Sequence, residues 1–253
     1  MIKVNILNKE ECVNLFKFWG EFSCVCYATP KKFAKKVGQS CLETKHYSGS
    51  RSRHIIFEFE GISRACADQM VRHSIGTAMN MQSGRYVDLK DFEYHVPNKI
   101  LKNEKALEIY KKHMEQTKEN YKEICSILEA DGFKGESVYE CARGIAPMNH
   151  CVKLTMSFTV EALINFMNKR LCVCSQEEIQ KVAKLMKAET LKLLPELNGK
   201  LVPACEALGY CPESVKRTCG RYPQKEVAIA LMNEYRKNKH FQEMIDRKVE
   251  REK

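Results

Sequence analysis

The hydrophobic pattern of the chain alternates between two periods. Apolar residues spaced by three and four predict helices, including one over residues 62–74 and a long one over 105–130. Runs of alternating, β-branched or aromatic positions predict strands over residues 1–7, 54–60, 92–96 and 153–159. Since no linker or repeat separates these elements, the sequence predicts an α+β fold with a mixed β-sheet flanked by long helices.

The C-terminal part of the chain follows a different pattern. Residues 195–223 are rich in loop-forming residues, and a final helix is predicted over 225–237. We therefore expect a single domain over residues 1–253, which carries a cysteine-containing extension from about residue 195.

The net charge of the chain indicates which class of ligand it binds. The formal net charge of +10 favours anionic ligands, although much of the excess lies on predicted helix faces and in the tail after Arg236. No RNA-binding aromatic signature or helix-turn-helix pattern is present, so we expect a nucleotide rather than a nucleic acid. No stretch resembles a signal peptide or a membrane span, which favours a cytoplasmic protein without membrane contact.

The 13 cysteines are expected to be thiols, because their number is odd and no secretion signal precedes them. One group stands near the C-terminal end of the chain: Cys172, Cys174, Cys205, Cys211 and Cys219. Its spacing lacks the compact pairs of a zinc ribbon. We therefore expect free or buried thiols here, and no metal ligand is assigned.

Residues 69–86 concentrate polar side chains at the end of a predicted helix. Gln69, Arg72 and His73 lie at i, i+3 and i+4, which places them on one helix face. The loop that follows carries Asn80, Gln82, Ser83, Gly84 and Arg85. An arginine fork, a hydroxyl and close backbone approach at glycine suit a phosphate and a base edge. A capped helix end with surface arginines has the same composition, so the residues alone leave both interpretations open.

The same segment resembles the signature of flavin-dependent thymidylate synthases. That signature reads R-H-R, a spacer, then S-x-R-Y, and it is matched by Arg72-His73 and by residues 83–86. Three further segments resemble family motifs in the family's order, namely 142–149 (A-R-x-x-L-P-x-N), 165–171 (N-F-x-x-x-R) and 175–179 (A-Q-W-E-I).

The resemblance implies roles for individual residues. Positions matching the family's site for deoxyuridine monophosphate (dUMP) are Gln69, Gln82, Ser83, Gly84, Arg85, Arg143 and Arg170. Positions matching its flavin site are Arg72, His73, Asn80 and Asn165. Arg170 is the expected catalytic residue, because a guanidinium against the pyrimidine carbonyls stabilises the enolate-like charge that develops when C5 attacks.

The resemblance also implies a reaction and its cofactors. Members of this family methylate dUMP reductively at C5, with methylene-tetrahydrofolate as the one-carbon donor, FAD as the flavin and NADPH as the reductant. A pyrimidine nucleoside monophosphate and a folate are thus the expected ligands. The family's architecture further implies a homotetramer with active sites between subunits.

Most departures from the family pattern fall on the flavin side. Ser74 replaces the last arginine of the signature, and an asparagine and an arginine expected near Thr159 are absent. Met81, in place of an acid, is an exception on the nucleotide side. A loop at residues 45–54 is longer by two residues and offers new candidate cofactor contacts, which are Ser48, Ser50, Arg51 and Arg53. We therefore expect FAD to bind more weakly than in typical relatives, with Arg51 and Arg53 replacing lost cations.

Two alternative functions remain at this stage. The first is a repurposed paralogue that modifies C5 of a pyrimidine nucleotide differently, for example by hydroxymethylation, with weak or no flavin binding. The second is a nucleotide-binding protein without catalysis. An ordinary thymidylate synthase is disfavoured, because its Pro-Cys-His nucleophile motif is absent.

Overall fold

The computed structural model describes residues 1–237 and residue 243, so the expected basic tail lies almost entirely outside the described residues. The strands are β1 (Lys3–Ile6), β2 (Ile55–Ser63), β3 (Thr77–Met81) and β4 (Cys151–Phe158). The helices are α1 (Lys9–Val13), α2 (Leu15–Ser23), α3 (Ala34–Glu43), α4 (Arg64–Met70), α5 (Asn98–Leu101), α6 (Glu104–Ala130), α7 (Glu136–Ala142), α8 (Val160–Arg170), α9 (Glu177–Leu193), α10 (Ala204–Leu208) and α11 (Lys225–Arg236). Short 3-10 turns occur at Lys31–Phe33, Tyr47–Ser52, Arg143–Ile145 and Pro195–Leu197.

The sheet has the order β1-β2-β4-β3. Its three pairings, among the strands that the structure describes, are all antiparallel. The predicted α+β class is confirmed, whereas the expected mixed sheet is corrected to an antiparallel one. Hydrophobic periodicity identifies a strand but contains no information about its direction, which depends on where the intervening helices return the chain.

The core lies on one face of the two central strands. Ile55, Phe57 and Phe59 alternate along β2 and are fully buried, as is Phe158 on β4. The rings of Phe57 and Phe158 meet edge to face, with centroids 5.9 Å apart. Each such side chain contributes about 1.5–3 kcal/mol to folding through burial. This packing fixes the end of β4, from which α8 and its functional residues begin.

The helix predicted over residues 62–74 is shorter than expected. Strand β2 continues to Ser63, whose hydroxyl accepts a hydrogen bond from Cys66 N (3.0 Å) and caps α4. Glu178 of α9, which is 2% exposed, accepts from both the Ser63 amide (2.7 Å) and its hydroxyl (2.6 Å). A tertiary contact from a distant helix therefore determines where this helix begins.

Two further predictions change in the structure. The strand expected over 92–96 reduces to a single bridge between Tyr94 and His150, and β3 forms where a loop was expected from Asn80. Strand β3 pairs along the edge of β4, so its exposed residues show little hydrophobic alternation to signal it.

The extension begins inside the fold. Leu194, Leu197 and Leu201 belong to the main core, although residues beyond them form a loop-rich segment with two short helical pieces. The first part of the extension is therefore held to the domain by hydrophobic burial. No helix within the described part of the chain is long and apolar enough to cross a membrane.

Candidate active site

A loop after β3 brings two of the predicted nucleotide residues into contact. A Cβ placed on Gly84 would lie 3.5 Å from the Arg143 Cβ and 3.3 Å from the Leu89 Cδ1. The loop therefore approaches Arg143 closely, which glycine permits because it has no side chain. Arg143 begins a 3-10 turn directly after α7 and is exposed.

A small second hydrophobic core packs under the end of the loop that follows β3, where Leu89 belongs to both. Leu89 and Phe92 pack with Met114 and Tyr121 of α6, and the Leu89 amide donates to the Tyr121 hydroxyl (3.2 Å). Burial raises the pKa of Tyr121 to about 12, so the hydroxyl remains neutral at physiological pH. The long helix α6 thus holds in place the loop that carries the predicted nucleotide residues Gln82, Ser83, Gly84 and Arg85. The periodic sequence of α6 did not reveal this role.

Arg85 is oriented by two carboxylates. Its guanidinium contacts Glu136 and Glu140 of α7, with an Nε to Oε2 distance of 3.1 Å for the second pair. All three side chains are roughly half exposed, so each pair is worth about 0–1 kcal/mol. A phosphate can displace such weak pairs. The side chain is consequently placed beside Gly84 and Arg143 without being locked there.

Gln82 and Ser83 take up partly structural positions. The Gln82 amide donates to Lys153 O (2.9 Å), and its side-chain oxygen accepts from Lys153 N (3.1 Å), which extends the pairing of β3 with β4. The Ser83 hydroxyl accepts from Arg85 N (3.2 Å) at the start of the turn. These contacts fix the direction in which the loop leaves the sheet.

Arg170 is held at the end of α8. Its Nε donates to His73 Nε2 (2.9 Å), and its Nη2 donates to the Gln69 carbonyl (3.3 Å). Helix α4 ends at Met70, so the expected helix face shared by Gln69, Arg72 and His73 does not exist. Gln69 and His73 are nevertheless linked, because both accept a hydrogen bond from Arg170.

His73 is uncharged in this arrangement. Burial, with added repulsion from Arg170 and Lys169, lowers the pKa of His73 to about 4. Neutral imidazole has one donor and one acceptor nitrogen, and here Nε2 accepts from Arg170 while Nδ1 carries the proton. The neutral ring therefore orients the guanidinium and adds no competing positive charge.

The loop between α4 and β3 packs against the start of α8. Thr159 caps this helix by accepting from Ala162 N (3.1 Å), and a Cβ on Gly76 would lie 2.8 Å from its hydroxyl oxygen. Gly76 has a φ of 71°, so the loop that carries Arg72 turns tightly onto the helix start.

The inserted loop contributes one arginine to the same region. Arg51 Nε contacts Glu161 Oε2 (3.0 Å) in the first turn of α8, and exposed Asn165 lies one turn further on. Arg53 instead lies over the Phe18 ring, with its guanidinium carbon 4.6 Å from the ring centre. Both arginines are exposed, so either can change rotamer to meet a ligand.

The remaining predicted flavin residues differ in exposure. Ser48 and Asn80 are exposed, Ser48 in the inserted loop and Asn80 on β3 opposite Thr155. Ser50 is 2% exposed, and its hydroxyl donates to Tyr47 O (2.7 Å). Ser50 therefore stabilises the inserted loop internally and does not face solvent.

The motif at residues 175–179 has a structural explanation. The Ser175 hydroxyl donates to Lys169 O (2.8 Å), and the Gln176 side chain caps α9 by accepting from Glu178 N and Ile179 N. Glu178 holds the start of α4, as described above. These residues position the elements that carry Gln69 and Arg170, and Ser175 and Gln176 also line the cavity at the end of α8.

A cavity of about 550 Å³ lies where the end of α8 faces the C-terminal extension. Gln69 and Arg170 border it on one side, and Ala204, Pro212 and Arg217 of the extension border it on the other. The sequence did not predict that the extension would cover this end of the site. No short motif links the two segments, since their contact depends on the path of α9.

The sequence model of the thymidylate synthase complementing protein family (Thy1) matches residues 20–196. The chain is 38% identical to a flavin-dependent thymidylate synthase from Nitratidesulfovibrio vulgaris, over 74% of this chain and 76% of that protein. It is 35% identical to a flavin-dependent thymidylate synthase from Clostridium tetani, over 66% of this chain and 70% of that protein.

A solved structure shares the architecture. The UMP/dUMP methylase PolB from Streptomyces cacaoi, crystallised with 5-Br dUMP, superposes with a TM-score of 0.55 at 16% identity. The match covers 79% of this chain and 94% of PolB. At this level of identity the likeness establishes the fold.

Proposed function

The chain belongs to the thymidylate synthase complementing protein family, that of the flavin-dependent thymidylate synthases, and from this premise we propose that it methylates C5 of dUMP reductively. The proposed co-substrates are methylene-tetrahydrofolate and NADPH. We further propose a cytoplasmic homotetramer, in which neighbouring subunits complete the site.

The observation that carries this proposal is the placement of Arg170. A guanidinium held by a neutral histidine and a backbone carbonyl can present its remaining donors to the pyrimidine carbonyls. As C5 attacks an electrophilic one-carbon unit, negative charge develops on those oxygens. A fixed cation stabilises that charge without reorganising, which accelerates the step.

Arg85 and Arg143 suit the phosphate of the nucleotide. Arg143 packs against Gly84, and Arg85 follows Gly84 directly in the chain, so we propose that both guanidinium groups converge on one anion. The weak pairs between Arg85 and α7 keep this side chain extended toward the loop before a nucleotide arrives.

Family membership implies a flavin cofactor, and the positive charges of the residues present suit the negatively charged phosphates of a flavin nucleotide. Arg51 and Asn165 lie at the first turns of α8, and these side chains together with the helix N-terminus suit the pyrophosphate of FAD. Arg72 is exposed on the loop that follows α4 and is a further candidate cation. Bound flavin supplies the reducing equivalents for methylation. The chain's own task is to bind it beside Arg170 and to exclude water.

Product analysis tests the proposal directly. Protein incubated anaerobically with dUMP, methylene-tetrahydrofolate, FAD and NADPH should form dTMP, measured by chromatography and mass spectrometry. Omitting NADPH should abolish the product, since the methylene carbon then lacks a reductant. Formation of the 5-hydroxymethyl nucleotide, or nucleotide binding without any product, would refute the methylation and support one of the two alternatives.

A further inference from the structure

Five cysteines from two separate segments line the cavity at the end of α8. Cys172 and Cys174 follow the helix directly, whereas Cys205, Cys211 and Cys219 belong to the extension. All five are free thiols, and the described residues that line the cavity include no histidine. The remaining cysteines of the chain are scattered over other elements. Folding therefore concentrates thiols here that are distant in sequence.

The two segments are already in contact through these residues. The Cys174 thiol donates to Arg217 O (3.0 Å), which joins the end of α8 to the extension. Within the extension, the Thr218 hydroxyl donates to the Cys211 sulfur (3.4 Å), and the Cys211 amide donates to Pro223 O (2.7 Å). Cys211 is buried, and this backbone hydrogen bond holds its loop in place, as a metal ligand on a loop requires.

Cations outnumber acidic groups among the described residues that line the cavity. Lys169, Arg170 and Arg217 border it, and Glu213 is the acidic residue among its lining. A site formed by several thiolates is negatively charged even with a divalent metal bound, so neighbouring cations stabilise it. Thiolate ligands without oxygen or imidazole select thiophilic metals.

We propose that these cysteines form a thiolate site for a thiophilic metal, either a zinc ion or a preformed iron–sulfur cluster, which fastens the extension to the end of α8. Four of the five would bind, giving the all-cysteine coordination that both kinds of centre use. This proposal replaces the sequence-based expectation of free thiols, and the site shares its cavity with Gln69 and Arg170 of the predicted nucleotide residues.

Binding requires a local rearrangement of side chains. Within the described residues, no group of three or more His, Cys, Asp or Glu side chains is already placed to hold a metal ion. Ligation would therefore rotate the cysteine side chains into the cavity. Each bound thiol loses its proton to solvent and donates a sulfur lone pair, while the metal exchanges its former ligands without electron transfer.

Metal analysis of the full-length chain, purified anaerobically without a polyhistidine tag, tests the site. Zinc and iron are measured by mass spectrometry and acid-labile sulfide by colorimetry, after dialysis against a mild chelator. We expect stoichiometric zinc, or iron with matching sulfide, and these two results identify the centre. A chain that stays metal-free after reconstitution with zinc and with an iron–sulfur cluster donor would overturn the proposal.

Variants and thiol mapping assign the ligands. Cys205→Ser with Cys211→Ser should abolish the bound metal, whereas Cys26→Ser with Cys141→Ser, two exposed cysteines outside the cavity, should leave it unchanged. Should the first pair fail to fold, alkylation of wild-type protein decides instead. Bound metal should protect four cavity cysteines from alkylation until a strong chelator is added. Equal alkylation with and without metal would contradict the site. None of these measurements depends on methylation activity.

Discussion

The nucleotide side and the flavin side of the site are built differently. On the nucleotide side, Arg170 is bound by His73 and Gln69, and Gly84 packs on Arg143. On the flavin side, Arg51 has an exposed salt bridge to Glu161, and Arg53 lies over Phe18. The first set is held by several close contacts, one of which comes from His73 of the predicted flavin residues, whereas the exposed arginines of the second set have separate partners.

This difference explains why the two halves tolerate sequence change differently. A residue held by several neighbours cannot be replaced without disturbing them, since buried hydrogen-bond partners would be left unpaired. An exposed arginine on a loop can be lost and replaced by another arginine nearby, because charge matters there more than exact position. The departures from the family pattern accordingly fall mostly on the flavin side.

The largest expected effect concerns FAD. Replacing Arg51 and Arg53 together by Ala should weaken FAD binding by about 3–6 kcal/mol, roughly two to four orders of magnitude in dissociation constant, since two charge-assisted contacts are lost. Fluorescence titration with FAD measures this change. A matched control is the double replacement of Lys111 and Lys112 by Ala, on an exposed face of α6.

A further variant sharpens the role of the inserted loop. Glu161→Gln frees Arg51 from its salt bridge and should strengthen FAD binding slightly. If wild-type protein shows no FAD binding at high micromolar concentration yet still binds a pyrimidine nucleotide, the methylation proposal fails.

Arg170 should carry the largest effect on turnover. Arg170→Ala should lower the single-turnover rate of dTMP formation by about a hundred- to a thousandfold, the usual cost of losing one donor to a developing oxyanion. Arg170→Lys should recover part of the rate, because it keeps the charge but not the planar fork. Circular dichroism checks that both variants fold. A near-normal rate for the alanine variant would remove the catalytic role.

The phosphate residues should show a smaller effect, confined to binding. Replacing either Arg143 or Arg85 by Ala should weaken binding of a pyrimidine monophosphate by about 1.5–3 kcal/mol, as for loss of a charge-assisted hydrogen bond. Isothermal titration calorimetry with dUMP and with deoxyuridine separates the phosphate contribution from that of the base. Unchanged dUMP affinity in both variants would rule out the assignment.

The smallest effect is a pH dependence of stability. The pKa of His73 is about 4 in the folded chain and ordinary when unfolded, so the unfolded state binds the extra proton between these values. The contribution of His73 to the free energy of unfolding is therefore fully present above about pH 6.5. It is lost as the pH falls toward 4, and the loss is about 1–2 kcal/mol after allowance for the partial exposure of the ring.

Chemical unfolding at several pH values measures this dependence. His73→Gln should reduce the slope, whereas His113→Gln on exposed α6 should not. Burial lowers the pKa of His150 in the same direction, so the comparison is between each variant and wild type. Equal slopes for His73→Gln and wild type would contradict the neutral state of His73.

The sequence by itself determined the α+β class, the central strands and most long helices. Strand β2 and helix α6 follow from local periodicity, because Ile55, Phe57 and Phe59 alternate and because α6 has regular apolar spacing. It also identified the family through short motifs, and the nucleotide residues within those motifs stay a prediction.

Tertiary structure alone decided how these pieces meet. Strand direction, the capping of α4 at Ser63 and the contact of Arg170 with His73 depend on residues that are far apart in sequence. The same holds for the five cysteines, whose spacing suggested no site until the path of α9 brought the extension back to the end of α8. Local patterns specify elements, but long-range burial and hydrogen bonding select which elements come together.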